Sequence, residues 1–127
     1  MKRTILVVED DLLNRLFYEA ALAASGFAVV SVDDGAQALA AVARHQPDLV
    51  IMDVHLPNVS GHDLIVALRA DGATRQLPVL AVTAFAGKGE EMRLRRAGAN
   101  GYLAKPVRIA ELVAQITALL SEDCPRG

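Results

Sequence analysis

The sequence contains no tryptophan, two tyrosines and three phenylalanines, so aromatic residues make up only 4% of its 127 positions. A core with so few rings must close on aliphatic side chains and plentiful alanine, which favours packed helices over an aromatic-rich β-sandwich. One cysteine, Cys124, excludes an intramolecular disulfide and fits a reducing compartment. No apolar run approaches the ~18 residues of a bilayer span. The apolar stretch after the basic start ends at Val8, too soon for a signal-peptide core. Charge of neither sign dominates: thirteen Lys and Arg against fifteen Asp and Glu leave −2. That balance gives no reason for nucleic acid or an anionic membrane as partner. What remains is 53% hydrophobic and 22% charged, too apolar for disorder and long enough for one buried core. The chain reads as one cytoplasmic domain over 1–121 with a C-terminal tail at 122–127.

Residues 5–8 form a continuous β-branched and leucine run, the pattern of a strand buried on both faces. Glu9, Asp10 and Asp11 follow. An alanine-rich helix is predicted over 12–25, stopped by Gly26. Strand composition returns at 27–32, and Asp33 or Asp34 can cap a helix over 35–45 that Pro47 terminates. Further strands are predicted at 49–52, at 79–82 ending in Thr83, and at 102–104 ending at Lys105-Pro106. Ser60 can cap a helix to about 70, a charged helix fits 87–97, and an amphipathic one fits 108–120. On that last helix Ile109, Leu112, Val113, Ile116, Leu119 and Leu120 share one side. Five apolar strands alternating with five helices predict a doubly wound α/β fold, a parallel sheet with helices on both faces.

In such sheets the functional crevice lies beyond the carboxyl ends of the strands. Glu9 and Asp10, Asp53, Thr83 and Lys105 stand at four of those ends. Like charges 4 Å apart repel by about 4 kcal/mol at an effective dielectric near 20. A divalent cation relieves this, and hard carboxylate oxygens suit Mg²⁺. An ionised aspartate can then act as an oxygen nucleophile, while Mg²⁺, Lys105 and the Thr83 hydroxyl support the oxygens of a transferring phosphoryl group.

The segments "ILVVEDD", "LVIMDVHLPNVSG", "PVLAVTAF" and "YLAKP", in this order and spacing, resemble a response-regulator receiver domain, the CheY-like superfamily, over nearly the whole chain. The stretch "VTAFAGKGEEMRLRRAGANGYLAKP" is most similar to the single-domain, DivK-like branch. The resemblance implies strand order 2-1-3-4-5. It implies that Asp53 accepts a phosphoryl group from a phosphohistidine. Glu9 and Asp10 would hold Mg²⁺, with the Asp10 and Asp53 side chains and the His55 backbone carbonyl as direct ligands. Thr83 and Lys105 would contact the phosphoryl oxygens, Thr83 and Tyr102 would form the switch, and Lys105-Pro106 is commonly a cis bond in this family.

Other residues carry competing readings. Asp11 reads as a helix-terminal acid favoured by the dipole. His55 reads as a solvated loop histidine, although its position, like that of Phe85, is one the resemblance ties to phosphate lifetime. Phe85 is expected to shield the aspartyl phosphate from water. Helix 12–25 has more apolar positions than one core stripe requires, and Leu13, Asn14, Phe17 and Ala21 resemble the surface on which receivers dock a kinase or phosphotransfer bundle. Lys88, Arg93, Arg95 and Arg96 read as a solvated basic face partly neutralised by Glu90 and Glu91.

These readings point to a stand-alone response regulator that catalyses its own phosphorylation and slow dephosphorylation, a signalling module more than a metabolic enzyme. Its partners would be a histidine kinase or histidine phosphotransfer protein and a downstream protein target, with the chain a monomer or weak dimer. The alternatives are a pseudo-receiver that binds partners without phosphorylation, or an aspartyl-phosphate phosphatase. The intact Asp10, Asp53, Thr83 and Lys105 disfavour the first. Haloacid-dehalogenase-like phosphatases carry a second Asp two residues past the nucleophile, where this chain has His55.

Overall fold

Three runs without a polar interruption, 5–8, 49–52 and 79–82, form the centre of the sheet, where neither face of a strand meets water. The computed structural model describes residues 2–85 and 87–123, with backbone alone for 122 and 123. In chain order the elements are β1 (Thr4–Val8), α1 (Leu12–Ala24), β2 (Ala28–Val32), α2 (Ala38–His45), β3 (Leu49–Asp53), α3 (Gly61–Ala70), β4 (Val79–Thr83), α4 (Lys88–Ala97), β5 (Gly101–Ala104) and α5 (Ile109–Asp123). All neighbouring strands pair in parallel, in the order β2-β1-β3-β4-β5. The doubly wound fold and its strand order are as expected.

Alternation along each strand splits the core in two. Leu6, Val8, Val50, Met52, Val79 and Ala81 face α2, α3 and α4 with Val42, Ile65, Leu68 and Leu94. Ile5, Val7, Leu49, Ile51, Leu80 and Val82 face the other way, onto Tyr18 and Leu22 of α1 and Leu112 and Ile116 of α5. The edge strand β2 is half-buried throughout, and β5 alternates buried and half-buried positions.

The ends of elements follow local chemistry. Asp11 caps α1, its carboxylate accepting from the N–H groups of Leu13 and Asn14 at 2.8 and 3.3 Å, so it serves the helix terminus. Asp34, of the two candidates, takes the Ala36 N–H at 2.9 Å, and the tight turn it caps winds Gly35–Gln37 as a 3₁₀ helix ahead of α2. Ser60 caps α3 as expected, at 3.1 Å from the His62 N–H.

Some expected placements change. Ile109, assigned to the apolar side of the last helix, is half-exposed because it opens the helix, while Leu112, Ile116, Leu119 and Leu120 are buried. Ala21, assigned to a docking surface, is buried with Tyr18 and Leu22, since a helix of 3.6 residues per turn brings these three inward together. The last helix continues through Asp123, so the expected tail begins within its final turn; the rest of that tail, 124–127 with Cys124, lies outside the described residues.

Candidate functional site

Each central strand ends by delivering one polar side chain to the same edge of the sheet. Val8 is level with Met52, Asp53 with Val82, and Thr83 with Ala104. This register brings Glu9, Asp53, Thr83 and Lys105 to one crevice. Glu9, Asp53 and Thr83 are all buried there, although each is polar. Two close contacts fix the frame around them. Gly61 donates its N–H to the Val54 carbonyl at 3.0 Å, and a Cβ on Gly61 would stand 2.4 Å from the Asp53 carbonyl oxygen. The loop between β3 and α3 therefore folds back directly onto the backbone of Asp53, and only glycine permits the approach.

The sequence-predicted residues meet in this crevice. Lys105 Nζ stands 3.2 Å from Glu9 Oε1 and 3.5 Å from Asp53 Oδ2. Asp53 Oδ1 accepts the His55 N–H at 3.2 Å, and Glu9 Oε2 accepts the Asp11 N–H at 3.2 Å. Lys105-Pro106 is a cis peptide. Burial pushes the Glu9 carboxyl up to about 7, aided by a hydrogen bond to Asp53 and its negative charge, against the weaker pull of the Asp11 N–H and Lys105. Burial alone would lower Lys105, but the charges of Asp53 and Glu9 outweigh it and raise the ammonium above its ordinary value. Tyr18, buried beneath these acids, is pushed well above the usual phenol range, first by burial and then by Glu9 and Asp53.

One lysine against three acids leaves the site short of positive charge. Oxygen atoms of Glu9, Asp10 and Asp53 lie within 4.8 Å of one another, Asp10 exposed and the other two buried. Hard carboxylate oxygens this close, with a single lysine to balance them, fit a small divalent cation such as Mg²⁺.

The surroundings of Thr83 went unread in the sequence. Its hydroxyl donates to Glu90 Oε2 at 3.1 Å and accepts from the Phe85 N–H at 3.0 Å. His55 Nε2 lies 3.0 Å from the same Thr83 oxygen and 3.4 Å from Glu90 Oε2. The imidazole is thus engaged through Nε2 while its side chain stays 41% exposed, so the solvated loop histidine also has fixed partners. Its ring also meets Phe85 edge to face. Glu90 is gripped on its other oxygen by Arg93, through Nε at 3.2 Å and Nη2 at 3.0 Å. Burial, the largest single influence, would raise the Glu90 carboxyl, but the hydrogen bonds from Arg93 and Thr83 together hold it below the ordinary value. The signal that could have found Glu90 was its place in the first turn of α4, directly beyond a strand end; one glutamate among the charges of an exposed helix gave no stronger mark.

Tyr102 is half-buried, and its hydroxyl is enclosed without a hydrogen-bond partner among the described residues. Of the expected docking residues, Leu13 is 75% exposed, and Asn14 and Phe17 are half-buried. Asn14 and Phe17 line a shallow hollow with Tyr18, Lys105, Pro106 and Val107, beside the site. No helix among the described residues is long and apolar enough to cross a membrane.

Comparison with known proteins agrees with this geometry. The sequence profile of the family described as "Response regulator receiver domain" matches residues 5–117. The polar-differentiation response regulator DivK of Brucella anthropi is 37% identical over 122 residues, spanning 96% of this chain and 99% of that protein. The receiver domain of the sensor histidine kinase PA1611 from Pseudomonas aeruginosa, solved with a magnesium ion coordinated in its active-site cleft, superposes with a TM-score of 0.87 at 36% identity, covering 95% of this chain and 99% of that one. A CheY-like receiver domain protein of Methanospirillum hungatei, at 24% identity, superposes with a TM-score of 0.92 over the whole of both chains and shares the fold.

Proposed function

This chain belongs to the response regulator receiver domain family, and from that premise we propose that it accepts a phosphoryl group on Asp53 and relays its arrival to a protein-binding surface. The observation that carries the reading is the Lys105 ammonium between Glu9 and Asp53, over a crevice whose three acids lie within 4.8 Å of one another. An Asp53 oxygen attacks phosphorus, the P–N bond to a donor histidine breaks, and the departing imidazole keeps the nitrogen electron pair. Lys105 and the Thr83 hydroxyl donate to the phosphoryl oxygens as charge shifts between donor and acceptor. Asp10, Asp53 and the His55 carbonyl, supported by Glu9, would hold Mg²⁺, which supplies positive charge against the carboxylates and the phosphoryl group. The same groups would serve slow hydrolysis, in which a water oxygen attacks phosphorus, the P–O bond to Asp53 breaks and the carboxylate leaves with the electron pair.

Thr83 and Tyr102 are the proposed switch. Tyr102 has no hydrogen bond from its hydroxyl among the described residues, so its ring can leave its place without breaking one. Leu13, Asn14 and Phe17 are the proposed docking surface for a histidine kinase or phosphotransfer bundle, with Leu13 exposed and Asn14 and Phe17 half-buried along the hollow beside Lys105. The end-to-end match with DivK supports a single-domain regulator, and a cytoplasmic site of action accords with its phosphohistidine donors. Incubation of the chain with acetyl phosphate and Mg²⁺ tests the reading. Stable labelling that Asp53→Asn abolishes supports it; an unlabelled chain supports a pseudo-receiver, and rapid turnover of phosphomonoesters a phosphatase.

A further inference from the structure

The Thr83 hydroxyl has one hydrogen and two lone pairs, and all three are committed away from Asp53. Its hydrogen goes to Glu90 Oε2, and it accepts from the Phe85 N–H. Because that hydrogen is given to Glu90, the hydrogen between Thr83 and His55 must be carried by Nε2. Glu90 is itself held in place. Its side chain is 15% exposed, and Arg93, one turn along α4, fixes the oxygen that Thr83 does not use. One carboxylate therefore ties together the end of β4, the loop after β3 and the first turn of α4.

We propose that Glu90 is a positioning residue, a latch that holds Thr83 and His55 to α4 until a phosphoryl group on Asp53 competes for them. This rests on the phosphoacceptor reading and deepens it. The hydroxyl cannot donate to Glu90 and to a phosphoryl oxygen at once, so closure of Thr83 requires Glu90 to release it. The incoming group also adds negative charge near the carboxylate and favours its departure. Release frees one of the two anchors of the Glu90–Arg93 pair, so the state of Asp53 becomes a change on the exposed face of α4. The latch makes the resting form the default and sets how readily the site closes.

The test uses the full chain with Mg²⁺ and beryllium fluoride as the phosphoryl mimic, with binding followed by NMR and the rate of labelling by acetyl phosphate measured in parallel. Removing a competing hydrogen bond to a charged group should tighten binding by about three- to tenfold in Glu90→Ala and speed labelling in the same direction. Arg93→Ala, which loosens the carboxylate without removing it, should show a smaller gain. In a Thr83→Ala background the Glu90→Ala substitution should change binding by less than about 1.5-fold, because the latch acts through that hydroxyl. Unchanged or weaker binding in both single variants overturns the proposal, as does an equal gain with and without Thr83. If the wild-type chain gains no label beyond an Asp53→Asn blank, the phosphoacceptor reading falls and the latch with it. A labelled wild type with an unaltered Glu90→Ala removes the latch alone.

Discussion

The rings of His55 and Phe85 meet edge to face, their centroids 4.6 Å apart and their planes at 85°. The pair joins the residue two past Asp53 to the residue two past Thr83. His55 is fixed by Thr83 and Glu90, so it braces a phenylalanine that is otherwise 65% exposed. If this ring shields an aspartyl phosphate on Asp53 from water, replacing it should expose the acyl phosphate to attack. Phe85→Glu, which offers a carboxylate to orient water, should shorten the phosphate half-life about three- to tenfold, corresponding to roughly 1 kcal/mol in the barrier. Following the decay of labelled chain after removal of donor checks this, and an unchanged half-life would remove the shielding role.

Lys105 is the one cation that Glu9 and Asp53 share among the described residues. Lys105→Met keeps the length of the side chain and deletes its charge. Labelling should fall about 100-fold, the scale of losing one charged donor to a transition state. The two acids would then face each other without compensation, so Mg²⁺ should raise the melting temperature of the variant more than that of the wild type. A smaller rise in the variant would mean that Lys105 helps to hold the cation instead of substituting for it.

Stability without metal should depend on pH through Glu9. Its carboxyl titrates at about 7 in the fold against an ordinary value of 4.5, so the folded chain binds that proton more tightly than the unfolded one. The contribution is complete below the unfolded value and is lost as pH rises through the folded one. Metal-free protein should therefore melt lower at pH ~8 than at pH ~6, and Glu9→Gln should flatten the difference. Mg²⁺ should stabilise more at the higher pH, because binding it at the lower pH must first release a proton. A slope that persists in Glu9→Gln would assign the dependence to another group.

These groups differ in how clearly the sequence announced them, and the difference is physical. Asp53, Thr83 and Lys105 close apolar strands, so chain position alone placed them at the carboxyl edge of the sheet once its strands were read as parallel. Asp11 was readable because capping is local, and Asp34 could be narrowed to one of two residues for the same reason. The engagement of His55 and Glu90 was not readable, because it joins a loop, a strand end and a helix through side chains 28 and 7 residues from Thr83. Ala21 failed for a related reason: an apolar surplus on one helix does not say which members face the sheet.

Tyr102 offers a test of an unpaired group. Its hydroxyl is enclosed without a partner among the described residues, which costs the desolvation of a polar group and returns no hydrogen bond. Tyr102→Phe keeps the ring and removes that cost. Urea denaturation should show a gain of about 0.5–1 kcal/mol, with labelling of Asp53 retained. A loss of stability would reveal a partner for the hydroxyl.

Gly61 and Gly98 separate damage to the site from damage to the fold. A Cβ on Gly61 would stand 2.4 Å from the Asp53 carbonyl oxygen and 2.7 Å from Val54 Cα, and both are backbone atoms that cannot turn aside. Gly61→Ala must lift the loop from β3, losing the hydrogen bond to the Val54 carbonyl and shifting Asp53 with it. The stability cost should be about 2–4 kcal/mol. Gly98→Ala is strained for a different reason: its φ of +126° disfavours a side chain, and the new Cβ would meet Arg69 Cγ at 2.5 Å. Arg69 is flexible but donates to the Gly98 and Thr74 carbonyls, so this variant should lose about 1–3 kcal/mol at the α3–α4 side of the fold. Under conditions where both variants remain folded, labelling by acetyl phosphate should fall at least about tenfold in Gly61→Ala and stay within about twofold of wild type in Gly98→Ala. Equal losses would mean that Asp53 responds to global stability and not to the backbone that Gly61 holds against it.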